Sequence, residues 1–383
     1  MATQVTDRDG QGAVGLIASA RRITVKVGSS LLIDAQGRSA RNQWLSSLAE
    51  DVAMLRGVGK QLVVVSSGAV ALGRHHLGLK RSPRLELKQA AAAAGQPLLM
   101  QAWERALSHH GIPSAQLLLT VGDTESRRRW LNARATMDVL LAQGALPIVN
   151  ENDSVATDEL RYGDNDRLSA RVAQMMRSDL LILLSDVDGV YTADPSRDPD
   201  ARHLPWIDTI TPEVEGFAAG AATAGVGTGG MATKIAAARI AQGFGCHTII
   251  ASGRDARPLA RLADGARATV IAAVGSPAGA YKQWIAGTLA PAGALSVDAG
   301  AVRALGLGKS LLPAGVTAVE GQFGKGECLR ILGPAGEEVG RGITRYAAGE
   351  AQAIIGLPSD RIEERLGYAG SDVLIHRDDM VLM

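Results

Sequence analysis

The chain has 383 residues, which is enough for two domains or for one large domain with an appendage. Hydrophobic residues make up 46% of it and charged residues 21%, as in globular proteins that bury a core. The 40 basic and 39 acidic side chains nearly cancel, so no overall charge would attract nucleic acid or a membrane surface. Cys246 and Cys328 lack the spacing of a zinc site or a disulfide framework, which favours buried thiols and a reducing, cytoplasmic location.

The first twenty residues do not fit a signal peptide. They contain Asp7 and Asp9, and their short apolar part is broken by Gly15. We therefore expect a disordered leader over residues 1–20. The longest uncharged run, residues 216–233, is dense in glycine, alanine and threonine and would make a poor membrane helix.

From residue 21 onward, short β-branched runs alternate with longer stretches rich in alanine and leucine. Strands are predicted at residues 23–27, 61–65, 116–119, 146–149, 180–184 and 248–251. Helices are predicted at residues 44–56, 87–107, 167–176 and 231–242. Gly95 and Pro97 interrupt the second of these helical patterns. The alternation indicates an α/β fold, a mostly parallel sheet sandwiched by helices, whose ligands gather at the carboxyl ends of the strands.

After about residue 273 the composition changes, and closely spaced glycines separate short strands. This pattern predicts a small β-rich domain of a usual module size. We therefore divide the chain into a main domain at residues 21–273, a linker at 274–292, a β-rich domain at 293–372 and a tail at 373–383.

Two predicted strands end in turns of small residues. Lys26 lies in an otherwise apolar strand, where burial is costly unless an anion meets the ammonium group. Gly28 and the serines after it would let backbone N–H groups approach phosphate oxygens. An edge-strand lysine with a solvated end is an equally good interpretation. The second strand runs into Ser67 and Gly68, which alone more often form a simple strand-to-helix turn.

Polar side chains are dense in two further segments. Residues 150–153, Asn-Glu-Asn-Asp, follow a buried strand, and residues 163–166, Gly-Asp-Asn-Asp, precede a helix. Asp166 as a simple helix cap is the competing interpretation. Two such clusters exceed what capping needs, however, and acidic side chains among phosphates usually hold lysines or magnesium in place.

A glycine-rich loop at residues 228–234 opens a predicted helix. The N–H groups at a helix start bind phosphate well, and Lys234 adds a positive charge. The loop lacks the GxxxxGK[ST] spacing, and no GxGxxG follows the first strand, so neither a Walker loop nor a dinucleotide fold is indicated. A glycine loop without function is as common as a binding loop. The apolar strand at residues 180–184 ends in Ser185 and Asp186, which are placed to contact a nucleotide.

Taken together and in this order, these segments resemble the amino acid kinase family over about residues 21–273. The final part, about residues 293–370, is similar to a PUA domain, a barrel-like module that some of these kinases carry. The resemblance implies that ATP, with Mg²⁺, phosphorylates a carboxylate. L-glutamate is the expected acceptor, at its γ-carboxylate, which is the first step of proline biosynthesis. The resemblance also implies feedback inhibition by proline and a homo-oligomer, a dimer or tetramer.

The resemblance implies a role for individual residues. The expected catalytic residues are Lys26, Asp166 and Lys234, with the aspartate orienting the two lysines. The expected substrate-binding residues are Ser67, Asp153 and Asn165. The expected ATP-binding residues are Lys26, Ser185, Asp186, Thr228, Gly229, Gly230, Met231, Ala232, Thr233 and Lys234. The family commonly has threonine where Ser185 stands, and serine keeps the hydroxyl. No set of metal-ligating side chains is predicted.

Two alternatives stay open at this stage. Another member of the same family would act on aspartate, acetylglutamate, carbamate or UMP. A protein that binds RNA through the PUA-like domain is the other alternative, although aromatic residues are only 3% of the chain. Phe323 and Tyr346 are the obvious stacking platforms there, and the basic residues are interspersed, which favours a solvated surface.

Overall fold

The computed structural model describes residues 12–34, 36, 38–156, 165–220, 230–287 and 290–383. The chain divides into two compact units. The first comprises the chain up to Ser126 together with Asn132–Pro277, and the second comprises Arg127–Leu131 together with Ala278–Met383. The division between the units falls within the predicted linker at residues 274–292, whose residues include the helix Pro277–Gly287. None of the described helices combines the length and the apolar character needed to cross a membrane.

The first unit alternates strands and helices. Its strands are β1 (Arg22–Val27), β2 (Gln61–Ser66), β3 (Ser114–Leu119), β4 (Leu146–Glu151), β5 (Leu180–Ser185), β6 (Val190–Tyr191), β7 (His203–Leu204), β8 (Trp206–Ile207), β9 (His247–Ser252) and β10 (Ala268–Ile271). Its helices are α1 (Ala13–Ser19), α2 (Ser29–Leu32), α3 (Asn42–Gly57), α4 (Ala69–His76), α5 (Leu85–Ser108), α6 (Val121–Glu125), α7 (Arg127–Ala142), α8 (Asn165–Met176), α9 (Pro212–Gly220), α10 (Met231–Gly243) and α11 (Pro258–Ala263). The first residues of α7, Arg127–Leu131, belong to the second unit. Every strand predicted in this part of the sequence is present.

Eight of these strands form one sheet in the order β3-β4-β2-β1-β5-β9-β10-β8. Neighbouring strands from β3 to β9 are parallel, whereas β10 is antiparallel to β9 and parallel to β8. The predicted mostly parallel sheet is therefore confirmed. Strand β1 is central, and its Lys26 pairs with Val65 on one side and Leu183 on the other.

The core lies on both faces of this sheet. Along β5, the side chains of Leu180, Ile182 and Leu184 join one apolar cluster, which also contains residues of α3 and α5. Leu181 and Leu183 join a second cluster, with residues of α8 and α10. This alternation follows from the two-residue period of a strand, and it explains why the strand is apolar at every position from Leu180 to Leu184.

Helix α5 is continuous from Leu85 to Ser108, although its sequence pattern is interrupted at Gly95 and Pro97. Gly95 lies where α5 crosses α4. A Cβ atom there would be 1.8 Å from the carbonyl oxygen of Ala69, and one at Gly73 would be 1.8 Å from that of Ala91. The two glycines thus allow a backbone-to-backbone crossing, and its packing stabilises α5 despite the hydrogen bond that proline removes.

The beginning of the described chain is helical. Residues Ala13–Ser19, which the sequence suggested as part of a disordered leader, form α1 instead. Ile17 of this helix is only 2% exposed and joins the first apolar cluster, which gives the segment a reason to be ordered. Residues 1–11 of the predicted leader lie outside the described part of the chain.

The second unit contains a five-stranded sheet. Its elements are α12 (Pro277–Gly287), β11 (Gly293–Val297), α13 (Ala299–Gly306), β12 (Val316–Glu320), β13 (Cys328–Leu332), β14 (Glu338–Thr344), α14 (Ala348–Ile354), α15 (Ile362–Leu366) and β15 (Ile375–Leu382). The strand order is β12-β11-β13-β14-β15, with only β11 and β13 parallel. The predicted small β-rich domain is confirmed. Residues 373–383, suggested as a tail, instead contain β15, which pairs with β14. Its Ile375 and Met380 are buried in the unit's core, and their burial stabilises the strand.

Candidate active site

The central strands of the sheet end at one edge. β1 lies between β2 and β5, and β2 also pairs with β4, all in parallel. The carboxyl ends of parallel strands meet at the same edge of a sheet, so the segments that follow these four strands come together. These segments begin with Gly28, Ser67, Asn152 and Asp186. Four of the polar segments singled out in the sequence therefore lie at one edge.

A carboxylate lies between two lysines at this edge. Lys26 Nζ is 2.5 Å from Asp166 Oδ1, and Lys234 Nζ is 3.3 Å from Asp166 Oδ2. Thr233 donates its hydroxyl to Asp166 Oδ2 at 2.8 Å. The side chains are almost completely buried, with Asp166 0%, Lys234 4% and Lys26 6% exposed. The structure thus brings together the three residues predicted to be catalytic.

The strand geometry explains how Lys26 reaches this position. Ile23, Val25 and Val27 join the apolar cluster on one face of the sheet. Because side chains alternate along a strand, Lys26 projects from the opposite face, which is covered by α8 and α10. Asp166 is on the first turn of α8 and Lys234 is on the first turn of α10. The three charges therefore come from a strand and from two helix starts.

The charge state of Asp166 is set by two opposing effects. Burial would raise the pKa of its carboxyl group, but the ammonium groups of Lys26 and Lys234 outweigh burial and hold the pKa below its usual value. The carboxylate is therefore ionised near neutral pH. The ammonium groups of Lys26 and Lys234 favour an anionic ligand beside them.

The surroundings of these lysines leave backbone exposed. Gly28 follows β1, and a Cβ atom at this position would lie 3.9 Å from Lys26 Nζ, so glycine keeps the space beside the ammonium group open. Helix α10 begins after Gly230, whose backbone is extended and offers no side-chain cap. The first N–H groups of a helix have no partner inside the helix and attract anions. Both features suit phosphate.

A second cluster consists of uncharged groups and adjoins the first. Asn165 Nδ2 donates to Ser67 Oγ at 2.8 Å, to the carbonyl of Ser66 at 3.0 Å and to Asn150 Oδ1 at 2.8 Å. An amide nitrogen carries two hydrogens, so these three acceptors occupy it fully. What Asn165 can offer a ligand is its carbonyl oxygen, an acceptor suited to an ammonium group. Asn165 and Asp166 are adjacent in sequence, so the two clusters share the start of α8.

The remaining predicted site residues lie around these clusters. Asp153 is half-buried in the turn that follows β4, at residues 152–156. Ser185 is buried at the end of β5, where its hydroxyl donates to the exposed Asp186 at 3.1 Å. Gly230, Met231, Ala232 and Thr233 lead into Lys234, whereas Thr228 and Gly229 lie outside the described residues, as do residues 157–164.

Three residues without a predicted role also contribute, and of these only Asn150 lies in a polar segment noted in the sequence. Asn150 is the centre of the uncharged cluster, because it accepts from Asn165 and donates to Gln96 Oε1 at 2.9 Å. Gln96 lies on α5, 54 residues away in the chain, and its only signal is a polar residue in an alanine-rich apolar stretch. Trp103, on the same helix, donates to the hydroxyl of Ser66 at 3.0 Å.

Within the described residues, no group of three His, Cys, Asp or Glu side chains is placed to hold a metal ion. Asp166, the most buried carboxylate of the site, is already engaged by two lysines. The described side chains therefore form no metal cage of their own. Kinases commonly hold Mg²⁺ largely through the nucleotide phosphates, and such an arrangement needs no cage.

The comparisons with known proteins identify the class of enzyme. The model of the amino acid kinase family matches residues 21–252, and the model of the PUA domain matches residues 293–366. The chain belongs to the amino acid kinase family, so it is a kinase. Within that family it groups with the glutamate 5-kinases, since relatives of this name are 51–60% identical to it over nearly its whole length.

Three of these similarities illustrate the match. Glutamate 5-kinase of Caulobacter vibrioides (strain NA1000 / CB15N) is 60% identical over 373 residues, 97% of this chain and 99% of the relative. Glutamate 5-kinase of Rhizobium rhizogenes (strain K84 / ATCC BAA-868) is 55% identical, covering 94% of this chain and 93% of the relative. Among solved structures, carbamate kinase from Giardia lamblia bound to AMP-PNP covers 67% of this chain and 100% of its own, with 18% identity and a TM-score of 0.48.

Proposed function

We propose that the enzyme transfers the γ-phosphoryl group of ATP to the γ-carboxylate of L-glutamate, giving L-glutamyl 5-phosphate and ADP. The observation that carries this proposal is the pair of buried lysines that share Asp166, directly beside the uncharged cluster of Asn165 and Ser67. One cluster suits phosphates and the other suits an amino acid. The names of the similar proteins support the choice of glutamate.

The reaction requires two anions to meet. A carboxylate oxygen of glutamate attacks the γ-phosphorus, the bond from phosphorus to the β–γ bridging oxygen breaks, and ADP leaves with that electron pair. The attacking group is already ionised, so no general base is needed. The protein must align the two substrates and neutralise the charge on the transferred group. Lys26 and Lys234 supply positive charge for this purpose, and Asp166 fixes where their ammonium groups lie.

The two substrates would occupy opposite sides of the start of α8. ATP would contact Ser185, Asp186 and the loop from Thr228 and Gly229 through Lys234, with its phosphates at the first turn of α10. Glutamate would contact Ser67, Asp153 and Asn165. The carbonyl oxygen of Asn165 would accept from the α-ammonium group, because its amide nitrogen is occupied by protein acceptors. Mg²⁺ would reach the site on the nucleotide.

The proposed reaction has a metabolic setting that the family relationship suggests. The product would enter proline biosynthesis, of which this is the first step, and proline would inhibit the enzyme at or near the glutamate pocket. A homo-oligomer and a cytoplasmic location, where ATP is supplied, are part of the same proposal.

The direct test is ADP release with ATP, Mg²⁺ and L-glutamate, with hydroxylamine present to trap the acyl phosphate. We expect γ-glutamyl hydroxamate, and less of it when proline is added. Aspartate, acetylglutamate, carbamate and UMP serve as competing acceptors in parallel reactions. Turnover with one of these and none with glutamate would contradict the proposed acceptor.

Replacing Lys234 with alanine tests the charged cluster. Removing one fixed charge from a transition state commonly lowers kcat about 10²–10³-fold, and we expect a loss of this size in Lys234→Ala. Lys282→Ala is the matched control, since Lys282 is exposed on α12. Circular dichroism should show that both variants are folded. Normal turnover in Lys234→Ala would contradict the proposed role of this cluster in phosphoryl transfer.

A further inference from the structure

One face of α5 forms hydrogen bonds with residues of the uncharged cluster. Gln89, Gln96 and Trp103 are spaced by seven residues, two turns of helix, and so lie on the same face. Each makes a hydrogen bond with a residue at the end of strand β2 or β4 or in the turn that follows β4. The partners, in the same order, are the carbonyl of Ala156 (3.1 Å), Asn150 Nδ2 (2.9 Å) and Ser66 Oγ (3.0 Å). Gln96 occupies the centre of this row.

The orientation of Asn150 is fixed by the backbone. The N–H of Glu151 donates to Asn150 Oδ1 at 2.9 Å, and a backbone N–H can only donate. The other end of the amide, Nδ2, therefore points to Gln96 and requires an acceptor there. Gln96 meets this requirement with Oε1. Without Gln96, Asn150 Nδ2 would lose its partner and the amide could rotate.

The orientation of Asn165 depends on Asn150 in turn. Asn165 Nδ2 donates to the carbonyl of Ser66, which can only accept, and to Asn150 Oδ1. These bonds hold the amide so that its carbonyl oxygen stays available. The side-chain amides of Gln96, Asn150 and Asn165 thus form a row, in which Asn165 donates to Asn150 and Asn150 donates to Gln96.

Stability alone does not explain a glutamine at this position. Gln96 is 9% exposed, and no described residue accepts a hydrogen bond from its buried Nε2. A buried donor without a partner destabilises a fold, and leucine or methionine would avoid it. The amide at position 96 is therefore better explained by what its oxygen does for Asn150.

We propose that Gln96 is a positioning residue for the acceptor substrate. It acts through Asn150 on Asn165 and keeps the carbonyl oxygen of Asn165 directed to the ammonium group of the amino acid. The proposal rests on the function proposed above, in which Asn165 binds glutamate. It predicts that Gln96 affects glutamate and leaves ATP nearly unaffected.

The test compares Gln96→Met with Gln101→Met in the full-length enzyme. Both variants place methionine on α5, but Gln101 is exposed. Losing a hydrogen bond and leaving a buried partner unsatisfied typically changes an equilibrium about tenfold, so we expect the KM for glutamate to rise about tenfold in Gln96→Met. The KM for ATP should change less than about twofold, and Gln101→Met should match the wild type. Asn165→Ala serves as the reference for a lost acceptor contact.

A double-mutant cycle tests the route of the effect. If Gln96 acts through Asn150, Gln96→Met should raise the KM for glutamate no further once Asn150→Ala is present. Fully additive effects would overturn the proposal, because they would mean that Gln96 acts independently of Asn150. Should Gln96→Met fail to fold, Gln96→Leu removes the same acceptor and is measured in its place.

The outcomes separate this inference from the proposed function. A wild-type enzyme that forms no hydroxamate from glutamate would overturn both. A wild type that is active, with a raised KM for glutamate in Asn165→Ala but an unchanged one in Gln96→Met, would overturn only the role of Gln96. An equal rise in the KM for ATP would also overturn it, because that result indicates a general disturbance of the fold.

Discussion

Replacing Asp166 with asparagine should weaken the fold as well as the reaction. The carboxylate is 0% exposed and lies within 2.5 Å and 3.3 Å of two lysines that are themselves buried. Asparagine keeps the size but removes the negative charge that both ammonium groups contact. Breaking a buried ion pair by removing one partner costs about 3–5 kcal/mol. For a domain of this size, that loss corresponds to a fall of about 6–20 °C in the midpoint of thermal unfolding.

Asp138→Asn is a matched control for this change. Asp138 also lies between two cations, with Arg22 at 3.1 Å and Arg134 at 3.6 Å, but its side chain is 38% exposed. Ion pairs in contact with water contribute about 0–1 kcal/mol, so we expect the control to lower the midpoint by less than about 4 °C. Thermal unfolding followed by circular dichroism, without nucleotide, measures both. Equal shifts in the two variants would refute the reasoning from burial.

The same pair of proteins has a defined pH dependence. The folded-state pKa of Asp166 is depressed, so its contribution to stability is present above the unfolded pKa and is lost as the pH falls through the folded pKa. The difference in stability between wild type and Asp166→Asn should therefore be constant between about pH 5 and pH 8 and shrink below about pH 4. Unfolding by urea across this range measures the difference. A gap that closes between pH 6 and 7 would contradict it.

Two further predictions concern packing. Gly95→Ala should destabilise the fold by about 3 kcal/mol or more, since the added Cβ would overlap the carbonyl of Ala69, whereas Gly216→Ala, on an exposed face of α9, should be neutral or slightly stabilising. Thermal unfolding distinguishes the two, and similar midpoints would contradict the close crossing. Cys246 and Cys328 are buried, and burial raises the pKa of both thiols, so neither should react with a thiol reagent until the protein is denatured. Rapid reaction of either thiol in the native protein would disprove this.

Much of the fold follows from short-range patterns. The apolar runs at residues 62–65 and 180–184 are long enough only for strands, and their apolar character at every position indicates burial on both faces. The cost of burying Lys26 in such a strand gave an anion near it as one of two equally good interpretations, beside an edge-strand lysine with a solvated end. The structure adds that a protein carboxylate, Asp166, already meets this lysine and also contacts Lys234.

Other features depend on contacts that no local pattern contains. The bond between Gln96 and Asn150 joins residues 54 positions apart, and a single sequence gives no means to pair them. The continuity of α5 is similar, because a glycine followed shortly by a proline usually marks a break, and only the crossing with α4 shows why this glycine is compatible with the helix. Strand β15 is another case, since its partner β14 decides that it is a strand.

Because of the glycine crossing of α4 and α5, activity depends on residues that a ligand would not touch. Helix α4 begins at Ala69, two residues after Ser67, and α5 carries Gln96 next to Gly95. Moving the helices apart would therefore displace both sides of the uncharged cluster at once. In a library of random substitutions screened for function, inactive clones should accumulate at positions 73 and 95 as they do in the pocket itself. A binding site inferred only from the positions of inactive substitutions would therefore include residues 73 and 95, which a ligand would not touch.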